Sequence, residues 1–392
     1  MDNFYCSQKF TFLSVHIEKQ VIKSCCSADS EKINKDWLLN NSGQLFNTPT
    51  LLRERQMMLE NQPVSSCESS CWRTEQENFP SRRTIMGTNQ KTHTQINTAP
   101  EFVDLDVGYD CNMSCIYCAR SESSAWANDI LKNGRYNITD YGINDNDQRY
   151  NLTTRDRIML NLSQKDRKQH QHQNIILDET LKILPSAKRV EITGGEPFLN
   201  LQLEEIFCSI GPTVEIVICS GLGVNETRFR KELEKLKAIR NFSITVSGES
   251  TDAIYEFTRN GNTWNRYLAN LQIIRKLDIP IVMNCVLSNV TMFGFNKFCK
   301  IFPTESKMIS ILSVPSFLAM NVMDDASKSV ILSNLESVTA DTQLSIESSM
   351  QVPYTKQQQS NFARFVCEYA RRRDLDLQIF PKSFVDWINN VV

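Results

Sequence analysis

Cys111, Cys115 and Cys118 lie in the run CNMSCIYC, three thiols separated by three residues and then by two. Thiolates at that spacing can hold three irons of a [4Fe–4S] cube and leave the fourth iron open to bind and activate a small molecule. A cube with a full set of protein thiolates instead carries electrons. Half of a zinc site is the competing reading. Structural zinc more often pairs CxxC with a second CxxC or an HxxxH, and neither follows Cys118. A second run, Gly194-Gly195-Glu196-Pro197, could meet a ligand as well. Its glycines let the backbone pass close by, and its carboxylate can accept from an ammonium; taken alone it is also an ordinary turn. Cys6, Cys25, Cys26, Cys67 and Cys71 form a second group; with either Cys25 or Cys26 it supplies four thiolates, enough for a second cube or a four-cysteine zinc site.

These groups need elements to hold them. Residues 101–107 (EFVDLDV) alternate as a strand leading into the cysteine run, and 189–193 (RVEIT) form a strand ending at the glycines. Further strands are expected at 214–219, 242–247, 279–287 and 308–314, with helices at 178–184, 227–239, 264–277 and 294–301. Alternating βα units imply parallel strands with crossover helices, whose carboxyl ends carry the site. Residues 121–173 form a polar insertion with a helix near 153–162; its His170 and His172 read as a solvated loop rather than a metal pair. Ahead of these strands, 14–22 read as a hairpin turning at Glu18-Lys19-Gln20, and 50–60 as a helix. The tail from 324 is helical in pattern, amphipathic over 361–373, with Trp387 as an anchor. Three parts are expected: a cysteine-rich module at 1–99, a barrel at 100–320 and a helical tail at 321–392.

With 392 residues, 41% of them hydrophobic, the chain can bury a sizeable core. A net charge of −2 gives no electrostatic footprint for nucleic acid or an anionic membrane. No apolar run approaches the ~20 residues that span a bilayer, and MDNFYCSQKF lacks the pattern of a signal peptide. Thirteen cysteines, an odd number in a long chain, fit thiolate clusters in a reducing cytoplasm better than a disulfide framework. Cys208, Cys219, Cys285, Cys299 and Cys367 are expected to be small buried hydrophobes.

CNMSCIYC followed by GGEP, in that order on successive strand ends, resembles the CxxxCxxC signature and GGEP segment of the radical S-adenosylmethionine (SAM) enzymes. The resemblance implies an α/β fold, a partial (β/α)6 barrel. It implies that Cys111, Cys115 and Cys118 hold a [4Fe–4S] cluster whose open iron chelates the amino and carboxylate groups of SAM. Gly194, Gly195, Glu196 and Pro197 would meet the SAM amino group. Ser247 and Glu249 would reach its ribose and methionine groups, Arg259 its carboxylate, Asn284 a polar group and Tyr117 the adenine. Cys219-Ser220-Gly221 stands where relatives often carry Thr-Asn-Gly, so that contact is in doubt. Cys6, Cys25, Cys67 and Cys71 resemble the SPASM and twitch modules that bind an auxiliary Fe–S cluster. Such modules more often follow the barrel, and the hairpin here lacks the usual Gly.

The implied reaction is reductive cleavage of SAM to a 5′-deoxyadenosyl radical, which takes hydrogen from an unactivated carbon. An electron donor such as flavodoxin or ferredoxin is implied too. The substrate is a peptide, a protein or a small molecule, with peptide or protein favoured by analogy. The rival reading is a non-catalytic scaffold with zinc or iron–sulfur at both cysteine groups. The GGEP run argues against it, because a scaffold has no use for an ammonium contact.

Overall fold

The computed structural model describes residues 3–138 and 174–391. The helix expected near 153–162 and the His170–His172 pair lie outside the described residues. Nine strands are described: β1 Phe12–His16, β2 Val21–Lys23, β3 Glu31–Lys32, β4 Phe102–Asp106, β5 Arg189–Thr193, β6 Glu215–Ser220, β7 Ser243–Ser247, β8 Ile281–Leu287 and β9 Lys307–Ile311. From β4 onward strands and helices alternate, through Ser124–Asn133, Leu203–Ser209, Glu226–Ile239, Trp264–Lys276 and Met292–Ile301. The fold is mixed α/β with parallel strands, as a partial (β/α)6 barrel requires. The chain forms two compact units, whose boundaries differ from the three expected parts.

The first unit takes in 3–108, 174–218 and 236–242. Its strands lie in the order β3-β2-β1-β4-β5-β6. The hairpin of β1 and β2 is present, with His16 opposite Val21. Yet β1 also runs parallel to β4 over its whole length, from Phe12 opposite Phe102 to His16 opposite Asp106. The first strand of residues 1–99 therefore extends the sheet to which β4 belongs. The turn uses Gln20 at φ 58°, a left-handed position where Gly is usual.

Period-two alternation gives this sheet two unlike faces. One carries the rows Leu13–Val103–Val190–Ile216 and Val15–Leu105–Ile192–Ile218, every member 0–1% exposed. On the other, Ser14 donates to Asp104 Oδ2 at 2.8 Å and Thr193 to Asp104 Oδ1 at 3.0 Å. Asp106 Oδ2 meets His16 Nδ1 at 2.8 Å and Lys19 Nζ at 3.3 Å, while its Oδ1 accepts from the Gly108 N–H at 3.0 Å. Burial pushes the Asp106 carboxyl up, but the His16 hydrogen bond and the Lys19 and His16 charges outweigh it and hold it below its ordinary value. Cys208, expected in the core, is exposed. The helix Leu203–Ser209 buries Leu203, Ile206 and Phe207, the i, i+3, i+4 face, which leaves Cys208 outside.

The second unit takes in 109–138, 219–235 and 243–391, with β7, β8 and β9 parallel in that order. Its longest helix, Lys356–Arg373, begins before the amphipathic stretch because Thr355 and Gln358 form a capping box. Trp387 stacks on Phe362 at 5.6 Å between centroids. The tail falls within this unit. Cys285 and Cys299 are buried as expected, Cys219 and Cys367 only partly so.

Two outcomes follow from the first unit. Gln20→Gly should stabilise by about 0.5 kcal/mol, since relief of a left-handed side chain (about 1–2 kcal/mol) exceeds the added freedom of Gly when unfolded (about 0.4–1 kcal/mol). A urea midpoint unchanged or lowered would contradict it. Asp106 has a depressed folded pKa, so its stabilisation is present above the ordinary carboxylate value of 3.8 and is lost as pH falls through the lower folded value. Asp106→Asn should therefore narrow the stability gap between neutral and strongly acid pH relative to the parent, measured by urea unfolding across that range; parallel curves would contradict it.

Candidate functional site

The loop after β4 carries its thiols without the help of a ladder. Cys111 and Cys115 are each 8% exposed and Cys118 is half-buried. The loop's backbone is held from outside itself: the Ser114 N–H donates to Asn260 O at 2.7 Å and the Ile116 N–H to Thr258 O at 2.8 Å. Trp126 Nε1 donates to Cys115 O at 2.8 Å, and the Tyr369 hydroxyl lies 2.7 Å from Ser114 O. Gly261, at φ 101°, allows this approach, since a Cβ there would stand 2.3 Å from Asn112 O. The Met113 N–H lies 3.4 Å from Cys111 Sγ. Burial pushes the Cys115 thiol up, and Arg259 opposes that.

Tyr117, Glu249 and Arg259 surround the same loop. Arg259 Nη2 lies 2.7 Å from Glu249 Oε2, with the two side chains 4% and 0% exposed. The Tyr117 hydroxyl is 3.3 Å from both Glu249 oxygens. Ser247, the last residue of β7, stands opposite Asn284 on β8, and the Gly248 N–H donates to Asn284 O at 3.0 Å. These five expected residues and the three thiols all belong to the second unit.

Gly194–Pro197 belongs to the first unit and follows β5 directly. Gly194 has φ 126°, and a Cβ there would lie 2.5 Å from Gly108 O. The Gly195 N–H donates to that same carbonyl at 2.7 Å. The first glycine is thus demanded by packing against the end of β4, a reason the sequence did not supply. Glu196 is 2% exposed and accepts from the Phe198 N–H, capping the short turn Pro197–Leu199.

Cys6, Cys25, Cys67 and Cys71 line one pocket of the first unit, together with Lys9, Arg82 and Arg83. All four thiols are 7–9% exposed, whereas Cys26 is exposed and outside the lining. Cys67 ends the 3-10 turn Ser65–Cys67, and Cys71 lies in the π-helical turn Glu68–Trp72, which turns both toward the pocket. Burial pushes the Cys67 thiol up to about 11. In their present positions no three His, Cys, Asp or Glu side chains among the described residues are set to hold a metal ion. What fits a metal at both places is the donor set: grouped thiols on backbone fixed from outside.

Sequence reasoning missed the residues that hold the cysteine loop, Trp126, Asn260 and Tyr369, and the polar face of β1 and β4. The alternation of Asp104 and Asp106 with Val103 and Leu105 was a signal for the latter; Tyr369, 255 residues from Ser114, gave none.

Residues 105–297 match the model of the Radical SAM superfamily. Among solved structures the chain is similar to "Native anSMEcpe with bound AdoMet", at 14% identity and a TM-score of 0.35 over 62% of this chain and 61% of that one. It is also similar to Streptococcus suis SuiB bound to precursor peptide SuiA, at 11% identity and a TM-score of 0.31 over 95% and 71%. The chain spans about three fifths of the length of the anSMEcpe chain it matches. No curated protein matches it. The matched segment contains both the three-thiol loop and the GGEP run. Residues 105–297 thus carry a Radical SAM superfamily domain.

Proposed function

We propose that this chain is a radical SAM enzyme, with Cys111, Cys115 and Cys118 holding a [4Fe–4S] cluster at which SAM is cleaved. The observation that carries this is the family match over 105–297, which includes the thiol loop and the GGEP run in the family's order. When bound, the cluster supplies the electron that breaks the S–C5′ bond of SAM and yields a 5′-deoxyadenosyl radical able to take hydrogen from a substrate carbon. The chain's own part is placement. Glu196 offers a buried carboxylate for the SAM ammonium. Ser247, at the carboxyl end of β7, and Asn284, opposite it midway along β8, offer polar contacts. The external hydrogen bonds on the cysteine loop keep its three sulfurs from wandering before and after metal binds.

For Cys6, Cys25, Cys67 and Cys71 we read an auxiliary [4Fe–4S] cluster, supported by their common pocket and their resemblance to SPASM and twitch modules. A single zinc ion is a second reading, favoured by the four cysteines that line this one pocket, a complete ligand set for structural zinc. Peptides or proteins are the substrate class we favour, from the same resemblance, with flavodoxin or ferredoxin as electron donor. Among the described residues no helix is long and apolar enough to cross a membrane. Clustered free thiols favour the cytoplasm.

Two experiments test this. Replacing Cys111, Cys115 or Cys118 with Ala should abolish 5′-deoxyadenosine formation under dithionite while circular dichroism stays that of the parent; normal turnover in any of the three would end the cluster assignment. Replacing Cys67 and Cys71 together should remove roughly half of about eight irons, as two cubes require, and leave uncoupled SAM cleavage in place. Iron unchanged with zinc lost would establish the second reading for that site.

A further inference from the structure

The surroundings of Arg259 depart from what a ligand of the SAM carboxylate should show. Such a guanidinium should keep its paired N–H groups free for the incoming carboxylate. Here Nε donates to Glu249 Oε1 at 3.2 Å and Nη2 to Glu249 Oε2 at 2.7 Å, so the fork is already filled by a carboxylate of this chain. Glu249 is fully buried and is gripped from its other side by the Tyr117 hydroxyl. The guanidinium carbon lies 5.5 Å from the Tyr117 ring centroid, so the tyrosine braces both members of the pair. The third nitrogen, Nη1, points at Cys115 Sγ from 3.9 Å.

Resting on the reading of Cys115 as a cluster ligand, we propose that Arg259 is a positioning residue for the cluster and not a ligand of the SAM carboxylate. Glu249 and Tyr117 lock its guanidinium so that Nη1 faces the Cys115 sulfur. A cation and an N–H donor beside a ligand thiolate favour the state that carries one more negative charge, which is the reduced state. Burial strengthens the effect, because little water intervenes. Glu249 opposes it in part, yet keeps the arginine from being an unpaired buried charge. The two residues therefore act on the reduction potential with opposite sign.

The test is a potentiometric titration followed by EPR, on SAM-free protein reconstituted with iron and sulfide, with SAM affinity measured beside it. Parent protein that takes up no [4Fe–4S] signal would remove the cluster reading itself, and this proposal with it. With the parent signal present, Glu249→Gln should raise the midpoint potential. The double variant Glu249→Gln, Arg259→Gln should lower it; this neutral pair leaves no buried charge unpaired, and it serves where a single substitution at Arg259 fails to fold. SAM affinity in the double variant should stay within about three-fold of that of Glu249→Gln alone, since removing Arg259 loses no charge-assisted bond to SAM. Potentials equal to the parent's in both variants, or shifts of the same sign, would overturn the proposal. So would a SAM affinity about ten-fold or more weaker in the double variant than in Glu249→Gln alone, the cost of a lost charge-assisted hydrogen bond.

Discussion

A loop that carries three thiols into a buried place has no ladder to satisfy its own backbone, and buried N–H and C=O groups must find partners somewhere. The partners here come from far along the chain. Asn260 and Thr258 lend carbonyls, Trp126 lends its indole N–H, and the Tyr369 hydroxyl reaches the Ser114 carbonyl from the last long helix. Much of the second unit can be understood from this need. The Gly261 turn, the ring contact of Trp126 with Tyr369 at 5.7 Å and the placing of Arg373 over both rings serve to bring those groups within reach. The tail is therefore as much a part of the thiol site as the loop that bears the thiols.

In the first unit the dominant constraint is the sheet's division into an apolar and a polar face. Adding β1 to β4 in register keeps Leu13 and Val15 in the apolar rows and sets Ser14 and His16 against Asp104 and Asp106. A shift of one residue would exchange the faces and bury all four polar groups among aliphatic side chains. The polar face thus specifies the register as firmly as the core does. It also means that the four N-terminal thiols stand on backbone continuous with β1, which pairs with β4 along its whole length.

Much of the strand pattern was legible beforehand. The six barrel strands fall within two or three residues of the expected bounds, because period-two alternation and apolar runs are local signals. The three-thiol run and the GGEP run each follow a strand as expected, since chain order alone puts them there. The pairing of Cys25 rather than Cys26 with Cys6, Cys67 and Cys71 was open in the sequence. Burial separates the two, with Cys25 at 9% exposure in the pocket wall and Cys26 outside it.

By itself the sequence determined which residues could bind metal, which segments would be strands and in what order they would come. Only the tertiary structure decided that β1 joins the barrel sheet, that Cys208 faces outward and that Gly194 is fixed by the Gly108 carbonyl. It also decided that Arg259 spends its fork on Glu249. The difference is physical. Periodicity and spacing are written within a few residues of one another, whereas a buried charge or carbonyl takes whichever partner the packed fold brings within about 3 Å, wherever that partner lies in the chain.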